Sequence, residues 1–148
     1  MYALKTCTFI GNHDCLQSVY PTLKHVVTDL ILHKDVRVFY VGTQGNYDRI
    51  VQHVLTEACK EFEHIKCYVV LAYVPQRKQE NRSDHSLPTL LPEGIEKIFP
   101  RFAITWRNQW MIQKADYVVA CTQFNSNGKA SEFVYYARKK GKTIIQIE

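Results

Sequence analysis

Two glycine-marked turns, each set between an apolar run and a helical pattern, constrain this chain most. The first is Gly42-Thr43-Gln44-Gly45-Asn46-Tyr47-Asp48, which follows the run Val36–Val41. The second spans Gln123–Glu132, carries Gly128, and follows Tyr117–Cys121. Strand, glycine turn and helix in that order form the repeating unit of an α/β protein. Such turns stand at the carboxyl edge of a parallel sheet. Backbone N–H groups and helix N-termini converge there and bind phosphate-like anions. The pattern therefore points to a nucleotide or nucleotide-like ligand.

Hydrophobic periodicity supplies the remaining elements. Leu4–Ile10 reads as a strand ending at Gly11. Tyr20–His33 reads as a helix, with Pro21 in its first turn and Leu23, Val26, Val27, Leu30 and Ile31 on one face. Val36–Val41 is a second strand. A second helix runs from near Asn46 to near Phe62, with Ile50, Val51, Val54, Leu55, Ala58 and Phe62 as its stripe. Cys67–Tyr73 lacks polar alternation, as strands covered on both faces do. Helices are expected over about 102–114 and 129–140, the latter stopped by Gly141. Tyr117–Cys121 and Thr143–Ile147 complete about five strands.

This alternation implies right-handed crossovers and an α/β three-layer sandwich with a parallel sheet. The expected strand order is 3-2-1-4-5. Its topological switch falls between the first and fourth strands, so Gly11–Asp14 and Thr122–Glu132 border one crevice. Residues 74–99 break the rhythm. Pro75, Pro88 and Pro92 punctuate them, and Gln76–Ser86 is strongly polar. A segment of this kind is expected to be a lid or an excursion loop. One domain is expected over residues 1–148, since no repeat or linker interrupts the pattern.

Composition narrows the function classes. Of 148 residues, 46% are hydrophobic, which argues for a folded globular chain over a disordered one. The net charge of +5 favours anionic ligands. The basic residues are dispersed, apart from Arg138-Lys139-Lys140, which complement a helix C-terminus. Direct DNA or RNA binding is therefore not expected. Five cysteines, an odd number without C-x-x-C spacing, read as reduced thiols in a cytoplasmic protein. No apolar run approaches a membrane span, and Met1–Ile10 is too short for a signal peptide. Six scattered histidines show no zinc spacing, so no metal or cofactor is expected.

Several residues have two readings each. Gly42 and Gly45 permit close backbone approach to a ligand, or simply form a tight turn with Asn46 as N-cap. Asp48 can touch a ribose hydroxyl, or stabilise the positive end of its helix. Asn12 and His13 stand at the crevice mouth, where histidine can donate to phosphate, or form an ordinary polar turn. Trp106 and Trp110 fit a core or subunit contact better than base stacking. Arg107 between them can clamp a phosphate. Glu132 can meet a sugar, accepting ribose hydroxyls or stabilising an oxocarbenium ion, or it can pair with its helix dipole.

Taken in order, Phe9-Ile10-Gly11-Asn12-His13, Phe39-Tyr40-Val41-Gly42, Gly45-Asn46-Tyr47-Asp48, Arg107-Asn108-x-x-Met111, Ala115-Asp116-Tyr117 and Gly128-Lys129-Ala130-Ser131-Glu132 resemble the SLOG superfamily. The nearest resemblance is to its DUF1273/YpsA-like group. This resemblance implies a Rossmann-like fold and a nucleotide-related ligand, such as an ADP-ribose derivative, that is sensed or sequestered. A related branch, the LOG or "lysine decarboxylase-like" phosphoribohydrolases, splits the N-glycosidic bond of nucleoside 5′-monophosphates. By that resemblance Arg107 and Glu132 would be the catalytic pair. Gly11, Asn12, His13, Gly42, Gly45, Asn46, Asp48, Asn127 and Gly128 would bind the ligand. The enzymes' Pro-Gly-Gly turn is absent, and Phe124-Asn125-Ser126-Asn127 stands in its place. The resemblance and the paired tryptophans also imply a homodimer; a dimeric scaffold without catalysis is the third reading.

Overall fold

The computed structural model describes residues 4–74, 87–122 and 128–147. The elements run β1 (Lys5–Gly11), α1 (Tyr20–His33), β2 (Val36–Val41), α2 (Gly45–Glu61), β3 (Lys66–Val70), β4 (Thr89–Leu90), α3 (Pro100–Lys114), β5 (Tyr117–Cys121), α4 (Lys129–Lys139) and β6 (Thr143–Gln146). The six strands form one sheet in the order β4-β3-β2-β1-β5-β6. Every pairing is parallel. The protein is thus a Rossmann-like α/β sandwich.

The expected order of five strands is kept, and β4 is added at one edge. Thr89 and Leu90 pair with Val69 and Val70. The N–H groups of Val69 and Leu71 donate to Pro88 and Leu90 carbonyls, both at 2.9 Å. Part of the segment read as a lid is therefore an edge strand. Two residues beside prolines carry no readable period, and proline is tolerated at a strand's edge and start. The remainder of that lid, residues 75–86, lies outside the described residues.

Handedness explains the layers. The chain steps from β1 to β2 to β3 in one direction through α1 and α2. It then steps from β5 to β6 in the opposite direction through α4. Right-handed crossovers in opposite directions must place their helices on opposite faces. Phe9, Phe39 and Val119 accordingly join Leu23, Val27, Ile50 and Val54 in the core beneath α1 and α2. Their neighbours Ile10 and Val118 join Ile112, Phe133 and Ala137 on the other face. The alternation is the period of two that a strand imposes.

Each edge of the β1–β5 seam is tied. At the amino edge, Asp116 accepts the Thr6 N–H at 2.9 Å, and its own N–H donates to the Thr6 carbonyl at 2.7 Å. At the carboxyl edge, Tyr47 is fully buried and its hydroxyl donates to the Val119 carbonyl at 2.9 Å. A Cβ at residue 11 would overlap the Tyr47 ring. Gly11 is therefore required by packing, whatever it offers a ligand. Gly11→Ala should destabilise the protein by about 1–3 kcal/mol, the usual range for an overpacked core. A urea titration showing an unchanged midpoint would mean that the ring yields freely and that this packing account fails.

Candidate functional site

The strand order reverses between β1 and β5, and a cleft of about 470 Å³ opens there at the carboxyl edge. Gly11, Asn12, His13 and Asp14 line it from the loop after β1. Gln44 and Asp48 line it from the start of α2, and Lys129, Ala130 and Phe133 from the start of α4. Thr105 and Asn108 close it from α3. The loops after two strands that leave in opposite directions must part, and that parting makes the cleft.

The two loops beside the cleft are docked on each other. The Asn46 N–H donates to the His13 carbonyl at 2.9 Å. Gly45 has φ of +83°, and a Cβ there would lie 2.7 Å from His13 Cα. Glycine is thus needed at residue 45 for both conformation and space. Asn46 is not the N-cap that the sequence predicts. Gln44 occupies that position, and Asn46 is exposed inside the first turn, where its Oδ1 accepts Arg49 Nη1 at 3.1 Å. Asp48 performs the capping task instead, because its Oδ2 accepts the Gln44 N–H at 2.9 Å.

Gly42 marks where two charged side chains meet. A Cβ on it would stand 2.9 Å from Asp48 Oδ2 and 3.1 Å from Arg107 Cζ. Arg107 is fully buried. Its Nη1 donates to the Val70 carbonyl at 2.9 Å and to Thr43 Oγ1 at 3.2 Å. Its Nε donates to Asn108 Oδ1 at 2.8 Å, and Nη2 has no hydrogen-bond partner among the described residues. The guanidinium therefore fastens α3 to the end of β3 and to the turn after β2. Burial lowers its pKa, opposed by the nearby Asp48 and Tyr73. Burial also pushes the Asp48 carboxyl up to about 6, against the opposing pull of the Gln44 N–H, Arg107 and His13.

Glu132 lies elsewhere. It is exposed, sits 3.6 Å from Lys129 Nζ, and lines a second, shallower depression with Gln109 and Tyr136. Arg107 lines neither recess, so the two residues of the expected catalytic pair do not share a cavity. Gly128 is the N-cap of α4, with ordinary extended φ of −84°. Asn127 lies outside the described residues. Gly11, Asn12, His13 and Asp48 share the cleft, whereas Gly42, Gly45 and Asn46 shape the turn behind it.

Tyr47, Gln44, Asn108 and Lys129 are absent from the sequence-derived site. Lys129 carries a readable signal, a cation directly after the cap of a helix at the switch point. Tyr47 carries none, because an aromatic residue in a helix does not announce which glycine it will cover. The two tryptophans pack at the side of the sheet: Trp110 lies 5.4 Å from the Tyr40 ring and Trp106 packs against Ala72, Ile95 and Ala103. Among the described residues, no group of three metal-ligating side chains assembles, and no helix is long and apolar enough to cross a membrane. Comparison of the chain with protein-family models and with curated proteins gives no match.

The raised Asp48 pKa makes stability depend on pH. The native carboxyl holds its proton up to about pH 6, whereas the unfolded one loses it near the ordinary aspartate value of 3.8. The native state then binds more protons across that window. Stability contributed by this group is present below pH 4 and is lost as pH rises through 6, with a slope of at most about 1.4 kcal/mol per pH unit. Asp48→Asn should remove that slope and gain on the wild type at pH 7. Parallel curves for the two proteins, from urea unfolding at pH 4.5 and 7, would contradict this.

Proposed function

We propose that the protein binds a nucleotide or nucleotide-sugar of the ADP-ribose type in the switch-point cleft and acts as a sensor or sequestering protein of SLOG type. One observation carries the reading: the loop after β1 and the N-terminal turns of α2 and α4 converge on a single cleft of about 470 Å³. That volume falls within the range of small-ligand sites, about 300–1,000 Å³. The chemistry of the walls suits such a ligand. Lys129 and the α4 N-terminus offer positive charge to a phosphate. Asp48 and Asn12 offer acceptors and donors to ribose hydroxyls, and Phe133 provides an apolar wall for a base.

Hydrolysis of a nucleoside monophosphate has less support. It requires Glu132 beside an anomeric carbon, yet Glu132 faces solvent outside the cleft and Arg107 is enclosed behind it. The same proposal includes a homodimer. On and around α3, Phe99 and Phe102 are 71% and 51% exposed, and Trp106 and Trp110 are half-buried. A cytoplasmic location is consistent with five reduced cysteines. Light scattering that finds only monomer at high concentration would remove the dimer and leave the binding site untouched.

The test of binding is mass spectrometry of small molecules released from the purified protein, with titration of a nucleotide panel. An intact nucleotide, unchanged on incubation, is expected. Lys129→Ala should weaken its binding about tenfold, the loss of one charge-assisted contact. Glu132→Gln should leave affinity within about twofold, as for a surface group away from the ligand. Release of free base that stops in Glu132→Gln would establish the hydrolase. No binding across the panel would sink both.

A further inference from the structure

Behind the cleft, two thiols from distant parts of the chain touch. Cys15 Sγ and Cys121 Sγ lie 3.3 Å apart. Cys15 belongs to the loop that follows β1, in a turn whose N–H donates to the Asn12 carbonyl at 3.2 Å. Cys121 is the last residue of β5, and its carbonyl accepts the Asn12 N–H at 3.2 Å. The pair therefore joins the two chain segments that part to form the cleft. Both side chains are nearly enclosed, at 6% and 3% exposure, beside a recess of about 20 Å³ lined by Asn12, Asp14 and the two cysteines. A recess of that size admits a molecule as small as water or hydrogen peroxide.

We propose that Cys15 and Cys121 are a disulfide-forming site, oxidised by peroxide, which clamps the loop after β1 to the end of β5. The geometry asks little. The sulfurs must close from 3.3 Å to a bond of about 2.05 Å, a shift that side-chain rotation and a small loop movement supply. In the first step the Cys15 thiolate attacks one peroxide oxygen. The O–O bond breaks, and the departing hydroxide takes a proton to become water. In the second step the Cys121 sulfur attacks the sulfur of the Cys15 sulfenic acid. The S–O bond breaks, and hydroxide leaves as water with the Cys121 proton. Two thiols and one peroxide thus become one disulfide and two waters, with two electrons passing from sulfur to oxygen.

The reduced pair is a stable resting state. Burial pushes the Cys15 thiol up to about 12, and its contact with Cys121 and the nearby Asp14 add to that rise. Few thiolates form at neutral pH, so peroxide oxidises the pair slowly there, and the cross-link forms faster as pH rises towards the thiol's pKa. Cys7 is also buried, and burial raises its pKa well above the ordinary thiol value. Cys59 and Cys67 form a second thiol contact on another part of the fold, between α2 and β3. That contact is an internal comparator. The clamp is independent of which ligand fills the cleft.

The experiment is peroxide treatment of the native, full-length protein, followed by alkylation and non-reducing peptide mapping. The expected product is an intramolecular Cys15–Cys121 cross-link, reversed by dithiothreitol, formed ahead of any Cys59–Cys67 link. The melting temperature should rise on oxidation by on the order of 5–10 °C, because the bond closes a loop of more than a hundred residues. Cys15→Ala should abolish both the cross-link and the rise, whereas Cys59→Ser should keep both. Sulfinic acid on Cys15 without a cross-link, a dominant Cys59–Cys67 or intermolecular bond, or a fall in melting temperature would each overturn the proposal. Peptide mapping of the wild type decides the question even where a variant fails to fold.

Discussion

Tyr47 occupies the space at the carboxyl edge that any side chain on residue 11 would need. Its ring fills the gap left by Gly11, and its hydroxyl satisfies the Val119 carbonyl at the heart of the sheet. Helix α2 begins two residues earlier, so this one side chain fixes where the helix starts relative to β1 and β5. The loop after β1 must then meet the turn before α2 at close range. The Asn46 N–H to His13 carbonyl bond, and the lack of room beside Gly45, follow from that placement. The cleft wall at Gly11 is firm because a buried aromatic residue with its polar atom paired backs it. A buried hydroxyl with no partner would have cost about 1–3 kcal/mol.

Arg107 applies the same logic on the other side of the turn. A guanidinium enclosed by protein is costly unless its protons are bonded. Three elements share that task here, through Val70, Thr43 and Asn108. Asp48 faces the cation across Gly42 without an ion pair among the described residues. Its carboxyl is raised rather than lowered, so loss of water outweighs attraction to the arginine. Arg107 therefore holds the fold as much as it serves any site. Removing it would leave three acceptors bare, at Val70, Thr43 and Asn108, which makes it a poor probe of ligand chemistry.

Much of this was legible in the residues. The α1, β2 and β5 segments occupy the ranges read from apolar period and turn punctuation, 20–33, 36–41 and 117–121. Alternation and handedness yielded the order of five strands. The short β4 was not legible, since pairing with β3 and not local pattern makes it a strand. Asn46 misled because residue type favours a cap, whereas the turn through Gly45, with its positive φ, sets the cap two residues earlier at Gln44. Glu132 and Arg107 were judged on a motif, yet helical period already separates them. Ala130, Phe133, Val134 and Ala137 form the buried stripe of α4 and leave residue 132 off it. Ala103, Arg107 and Met111 form the stripe of α3, which carries Arg107 inward.

That separation bears on what the cleft can do. Splitting a glycosidic bond needs a carboxylate held against the sugar and a group able to trade a proton. Asp48 is the carboxyl that lines the cleft beside the α2 N-terminus, and its pKa of about 6 lets it change charge near neutrality. It is already engaged, however, because the Gln44 N–H holds one oxygen in place. A carboxylate fixed by its own helix is well placed to read a hydroxyl and poorly placed to approach a carbon. Lys129, exposed and paired only loosely with Glu132 at 3.6 Å, stands on the opposite rim, beside the N-terminus of α4. An anion at one rim and a hydroxyl-bearing sugar at the other match that division of charge, and binding alone requires nothing further.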